Sequence, residues 1–434
     1  MPVALGCLVV AALSLLVFRE ATYDPTAWLI WGRQIADGSL ETIAGPSWKP
    51  LPVLFTTPLS LLGDTVALKL WLVLARLGGL LSLVMAYRVA ARLGGRAAGV
   101  IAALALLLAN EFLFNWIRGS SEGWLVATSL LAVHRHLDGE PRQAFGWGVA
   151  TALLRPDVWP LLALYGLWLL RAQLTPRTVA LVLGSGAAVL VGWFVPEYVG
   201  SGDLLRGASR ARDPVAGSPG QADHPFLATF ANASMALSYA VYAGAVLGLL
   251  AARRSAPVAA IAAASAVLMV IVALLASSGF TGNLRYVALP MALLCVLSGI
   301  GWAWLADRMG SGRARTRWVL VAAAAAAAPG VAVTAVHLAR NLDRTRELDR
   351  IYAALPGFIE RAGGRSAVLR CGPVFTGPFQ TQAVAYRLHL RQNQVGIHPR
   401  PPGTILGTTS GPSPASAGFA LKTSGTEWTT RATC

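Results

Sequence analysis

Asp24 and Lys49 bracket the most chemically suggestive stretch of this sequence, Tyr23 to Pro52, which lies between two apolar runs yet carries Asp24, Arg33, Asp37, Glu41 and Lys49. A carboxylate so placed is suited to proton transfer, and a lysine near it to holding an anion. Further along, Glu122, Arg155, Asp157 and Arg285 also stand at the edges of apolar runs. Charges in such settings are costly to desolvate and are usually kept for function or paired with one another. The candidate site therefore begins at Asp24.

The elements that must position these groups are membrane helices. Hydrophobic residues make up 55% of the 434 residues, charged residues 13%, and the mean hydropathy is +0.57. Soluble domains carry about 25% charged residues, so the composition indicates an all-α polytopic membrane protein. The net charge of +16 resides in short arginine clusters between apolar segments, a pattern of membrane topology and anionic headgroups rather than of nucleic-acid binding. Arginine far outnumbers lysine, which occurs only at Lys49, Lys69 and Lys422.

Apolar runs long enough to cross roughly 30 Å of hydrocarbon start near Val3, Thr65, Ala98, Glu122, Gln143, Asp157, Thr178, Ala231, Pro257, Tyr286 and Arg317, giving about eleven transmembrane helices. The first lacks the basic start and cleavage site of a signal peptide and is read as retained. Arginines at 88, 92 and 96; 135 and 142; 171 and 177; 253 and 254; and 308, 313, 315 and 317 mark alternate short loops as cytoplasmic. The amino terminus is then inside and the carboxyl terminus outside the inner (plasma) membrane. All the unusual polar segments fall on the outer face, among them the long loop Val195 to Phe230, which lacks apolar periodicity and is expected to be mobile when empty, either a substrate-gated lid or a disordered connection. Residues 1–338 form the membrane unit, with the alanine run Ala322 to Ala328 read as close helix packing. Residues 339–434 form a small extracytoplasmic α+β domain, which either binds an acceptor or caps the membrane unit. Cys7 and Cys295 lie in apolar runs; Cys371 and Cys434 lie in the tail and can pair in an oxidising compartment.

No Walker loop, H-E-x-x-H, Cys-x-x-Cys or nucleophile elbow is present, so a nucleotide site has no support. Five features in order do form a pattern: an acid after the first helix (Asp24), K-P-L-P (Lys49 to Pro52), S-E-G (Ser121 to Gly123), R-P-D (Arg155 to Asp157) and R-Y-x-x-L-P (Arg285 to Pro290). Together these resemble the integral-membrane glycosyltransferases of the GT-C superfamily, in the bacterial branch of aminoarabinose, mannosyl and arabinosyl transferases, over roughly Val3 to Leu338.

The resemblance implies a polyprenyl-phosphate sugar donor, an envelope glycan, lipid or protein acceptor, and inversion at the anomeric carbon. It makes Asp24 the general base on the acceptor hydroxyl, with Glu122 supporting it, because Pro25 stands where the family often has a second acid. Lys49, Arg285 and Arg155 are the candidate donor-phosphate contacts, and Trp48 and Tyr286 the candidate sugar or acceptor contacts. Mannose or arabinose is the natural sugar. Some relatives bind a divalent metal between acids and phosphate, but no dense carboxylate cluster is evident here, and no metal ligand is assigned.

Plainer roles compete at each position. Asp24 can open the helix that follows, Lys49 and Arg285 can reach to headgroups, Arg155 and Asp157 can simply pair, and Glu122 can favour a helix start. Trp28 and Trp31 read as interface-belt anchors. Two other functions stay open: a lipid-linked-sugar flippase or transporter, and a catalytically inactive envelope scaffold.

Overall fold

A helix or helix arm covers every start expected from the sequence. The computed structural model describes residues 2–214, 217–309, 313–410 and 414–434, and its side chains outside 313–329 and 331. The basic residues Arg313, Arg315 and Arg317 and the alanine run Ala322 to Ala328 have side chains outside the described residues. In chain order the first helices are α1 (Pro2–Leu13), α2 (Tyr23–Ala36), α3 (Pro50–Ser60), α4 (Asp64–Leu107), α5 (Phe112–Ile117), α6 (Glu122–Leu137), α7 (Pro141–Ala152), α8 (Trp159–Ala172) and α9 (Pro176–Ser201). Then come α10 (Arg206–Ala211), α11 (Pro225–Ser234), α12 (Tyr239–Ala252), α13 (Ala256–Ser277), α14 (Ala288–Arg308), α15 (Arg313–Arg361), α16 (Gly364–Leu369) and α17 (Thr381–Arg387).

Length and apolarity alone do not reach the expected count of about eleven crossings among the described residues. Among the described residues four helical segments are long and apolar enough to span a bilayer, or five if α11 and α12, which bend by 105°, count as one broken span. Helices α6, α7 and α8 have 16, 12 and 14 residues, short of the ~20 needed. The expected spans from Thr65 and Ala98 are two arms of α4, broken at Gly94 and Gly95. Gly95 has φ +82°, open to glycine and strained for a residue with a Cβ, so the glycine pair sets the break.

Apolar surface gains little by leaving lipid, so membrane helices associate through close packing. Helix α14 is enclosed on most sides, between α4 and α12. Gly299 lies against the Ala98 carbonyl of α4, and Gly301 against the Gly244 carbonyl of α12. A Cβ at either glycine would overlap that backbone.

The tail is a mixed layer, with five strands in the order β2-β1-β3-β5-β4: β1 (Val374–Phe375), β2 (Val395–Gly396), β3 (Gly403–Thr408), β4 (Ala420–Ser424) and β5 (Trp428–Thr433). Strand β1 runs parallel to β2 and β3, whereas β5 is antiparallel to β3 and β4. Cys371 and Cys434 are bonded to each other. The expected boundary at 338 and 339 falls inside α15, which runs without interruption from the apolar into the polar sequence.

One apolar core joins this tail to α2 and the first arm of α4. It contains Trp28, Trp31, Trp48, Trp71 and Leu72 together with Leu355, Phe358, Val384, Tyr386 and Trp428. Trp28 and Trp31 are thus core residues, 1% and 0% exposed, rather than belt anchors, because the tail covers the face of α2 that would otherwise meet the interface. Ionic contacts reinforce the seam: Arg387 donates to both carboxylate oxygens of Glu20 at 2.8 Å, and Arg33 pairs with Asp64 at 2.8 Å.

Parts of the stretch Val195 to Phe230 are helical. Helix α9 continues to Ser201, and α10 and the start of α11 occupy much of the rest. At the other end of the molecule, Arg92 pairs with Asp138 at 3.2 Å and Arg142 donates to Thr175 and Thr178, gathering the basic loops away from the tail.

Candidate active site

Most of the singled-out charges converge at the tail end of the helices. Asp24 stands in the first turn of α2, and Arg285 in the short turn Leu284–Val287 that leads into α14. Arg285 Nη1 lies 2.6 Å from Asp24 Oδ2. Thr22 holds the N-cap position of α2, and the Asp24 carboxylate accepts from Arg285. The pair is accessible from outside: the Arg285 side chain is 34% exposed and that of Asp24 11%.

Lys49 is extended at the residue before α3, with Pro50 opening that helix. The segment delivers its ammonium to the start of α6, where Nζ donates to Ser121 Oγ at 3.0 Å and lies 3.8 Å from Glu122 Oε1. Lys49 also faces the Trp28 ring at 5.3 Å. It points inward rather than out to headgroups, and burial holds its pKa below the ordinary lysine value against the pull of Glu122. Glu122 is 1% exposed, and its Oε2 has no hydrogen-bond partner. It begins α6 and answers Lys49, so the helix-start role and the site role coincide.

Arg155 and Asp157 form the buried pair expected of them, Nε to Oδ1 at 2.8 Å. Tyr286 links this pair to the first, with the Arg155 and Arg285 guanidinium carbons 4.4 and 5.6 Å from its ring centre. Lys49 lies within electrostatic reach of Asp24, Glu122, Arg155 and Arg285 together. The result is a cluster of alternating charge assembled from five distant parts of the chain.

One expected member is elsewhere. Trp48 is 2% exposed, stacks near Trp31 at 5.2 Å and donates its indole N–H to the Gly192 carbonyl at 2.9 Å. Its ring is held in the shared core, so Trp28, not Trp48, is the indole beside Lys49. Ser121 was missed although it sits within the S-E-G motif, and so were Glu197 and Arg206. An acid inside an apolar helix was the signal for Glu197. For a metal the donors do not assemble: Asp24 and Glu122 each face a cation, and no three His, Cys, Asp or Glu side chains converge among the described residues.

No family model matches the sequence, and no curated protein matches it. Solved structures do. ArnT from Cupriavidus metallidurans bound to undecaprenyl phosphate superposes over 99% of this chain and 97% of its own, at TM-score 0.61 and 13% identity. The apo state of the same protein gives 0.59 at 13% identity, covering 99% and 96%. The chain shares the fold of these structures, which belong to the GT-C superfamily. The archaeal oligosaccharyltransferase AglB from Archaeoglobus fulgidus, in complex with an inhibitory peptide and a dolichol-phosphate, matches at 0.50 and 14% identity, over 93% of this chain and 69% of that one. The GT-C resemblance drawn from five short motifs thus extends at the level of fold through the tail, which those motifs did not reach.

Proposed function

We propose that this protein is a membrane glycosyltransferase that moves a sugar from a polyprenyl-phosphate donor to an envelope acceptor on the outer face. The observation that carries the reading is the paired-charge cluster, Asp24 with Arg285 and Lys49 with Glu122, within a fold whose solved examples include complexes with undecaprenyl phosphate and dolichol-phosphate.

The geometry supports a division of labour. Arg285 and Lys49 take the donor phosphate, drawing away from Asp24 and Glu122 as they do so. Arg155, fixed by Asp157 and stacked on Tyr286, supplies further positive charge. Asp24, released from Arg285, accepts the proton of the acceptor hydroxyl as its oxygen bonds to the anomeric carbon. The bond from that carbon to the phosphate oxygen breaks on the opposite face, and its electron pair leaves with polyprenyl phosphate. Inversion follows from one displacement. Positioned cations stabilise the leaving charge most effectively in a dry site, and Glu122 and Arg155 are both buried.

An apolar cavity of about 670 Å³ supports the lipid assignment. It is lined by α6, α7, α8, α13 and α14, and its walls include Val158 and Leu289, near Asp157 and Tyr286 in the chain. Phe145, Leu162, Tyr165 and Trp168 line it too, and an isoprenoid chain suits such a wall. Mannose and arabinose are the sugars proposed, on the resemblance of the sequence. The proposed orientation puts the amino terminus inside and the carboxyl terminus outside, and the gathering of basic loops at the end remote from the tail supports it. The test is a transfer assay on membranes carrying the protein, supplied with labelled polyprenyl-phosphate sugars or nucleotide sugars and native envelope acceptors. Transfer from a polyprenyl-phosphate donor alone is expected; transfer only from a nucleotide sugar, or from none with intact acceptor, contradicts the reading.

A further inference from the structure

The segment that delivers Lys49 has no regular structure of its own and is fastened to α9 and α10. The Thr42 N–H donates to the Gly200 carbonyl at 3.0 Å, Ser47 Oγ to that of Gly207 at 2.8 Å, and the Trp48 N–H to Glu197 Oε1 at 3.2 Å. From α10, Arg206 donates to the carbonyls of Ile43, Gly45 and Pro46 at 3.1, 3.0 and 2.6 Å. Arg210 donates to Gly45 as well, at 3.2 Å.

Glu197 and Arg206 are 2% and 8% exposed, and their charges face each other at 3.9 Å. The approach is close enough to dictate residue size. A Cβ on Gly200 would lie 2.8 Å from the Thr42 side chain, and one on Gly207 2.8 Å from Glu197 Oε1. Replacing a buried ion pair by apolar groups often costs a fold no stability, so this one calls for another role. A guanidinium gripping three carbonyls of one loop fixes that loop's backbone, and a carboxylate on the next amide fixes its exit.

We propose that Glu197 and Arg206 are positioning residues, which clasp residues 42–48 so that Lys49 is held inward at the anion-binding end of the site. They act through the backbone and touch neither Asp24 nor Arg285. The inference rests on the reading of Lys49 as a donor-phosphate contact, but the placement itself can be tested without any ligand.

The chain has only three lysines, Lys49, Lys69 and Lys422, and Lys422 is exposed on β4. Amine acetylation of the full-length protein in lipid nanodiscs, followed by peptide mass spectrometry, therefore reads Lys49 against an internal reference. Lys49 is expected to react more slowly than Lys422 in the wild type. Arg206→Ala should raise its relative rate at least about fivefold, and Arg206→Lys, a point charge without the guanidinium fork, should restore only part of the protection. Glu197→Gln, which retains an acceptor for the Trp48 N–H but removes the charge, should raise it about twofold, and gives the answer if Arg206→Ala does not fold. Wild-type Lys49 rates in folded Arg206→Ala or Glu197→Gln overturn the proposal. Undecaprenyl-phosphate binding supplies the second readout: Arg206→Ala should weaken it, and adding Arg206→Ala to Lys49→Ala should weaken it no further, whereas additive losses contradict a role through Lys49. If the wild type binds no undecaprenyl phosphate, the donor-phosphate reading fails, while the acetylation ratio still decides the clasp.

Discussion

Lys49 is the side chain through which the charge balance of the site is most readily read. Burial holds its pKa below the ordinary lysine value of about 10.4, so its charge is present at low pH and is lost as pH rises through that lowered value. Affinity for undecaprenyl phosphate is therefore expected to fall with rising pH, beginning below the usual lysine range. Lys49→Arg should carry binding to higher pH, since a guanidinium stays charged; an unchanged alkaline limb would remove Lys49 from the phosphate. The charges that cluster here were legible as candidates because each stands at the edge of an apolar run. The indoles were not. Whether Trp28 or Trp48 faces the ammonium depends on how the tail packs over α2, which no local spacing records. Arg206 was hidden for a related reason, since its three acceptors are backbone carbonyls some 160 positions away in the chain.

Among the elements, α14 tests the packing account. Gly299→Val would place side-chain atoms where α14 meets the Ala98 carbonyl, and overpacking of this kind costs typically 1–3 kcal/mol. A clear drop in thermal midpoint in detergent is expected. Gly186→Val in α9, with open space around its added atoms, should change that midpoint little, and equal losses from both would count against the close contact of α14 with α4. Helix starts were legible from hydropathy, while Pro50, Pro141, Pro176 and Pro225 stand at first turns in the structure. The breaks within apolar sequence were not legible, since the Gly94-Gly95 interruption of α4 and the 105° bend between α11 and α12 leave no mark in hydropathy. The order of α10 was unreadable for another reason: its anchors lie in the loop before Lys49, not in its own sequence.

At the scale of the whole molecule, the tail and the membrane helices are one packing unit at the site end. Tyr386 donates to the Asp64 carbonyl at 2.7 Å, and Gln392 donates to the Ala27 carbonyl at 3.3 Å. A chain ending after Leu338 is therefore expected to lose the order of α2 and phosphate binding with it, whereas a folded, binding-competent truncation would make the tail an independent appendage. Peptide mapping without reductant should find Cys371 joined to Cys434, with Cys7 and Cys295 as free thiols. The polar composition after Leu338 announced a different solvent but not the shared core, since the residues that build it are separated by some three hundred positions. The central claim is that Asp24 is the base of a polyprenyl-phosphate-dependent transfer, and the direct measurement compares sugar transfer by the wild type and Asp24→Asn in the same membranes. Asp24→Asn, folded and still binding undecaprenyl phosphate, is expected to lose at least about a hundredfold in transfer rate. Transfer at the wild-type rate would contradict the account.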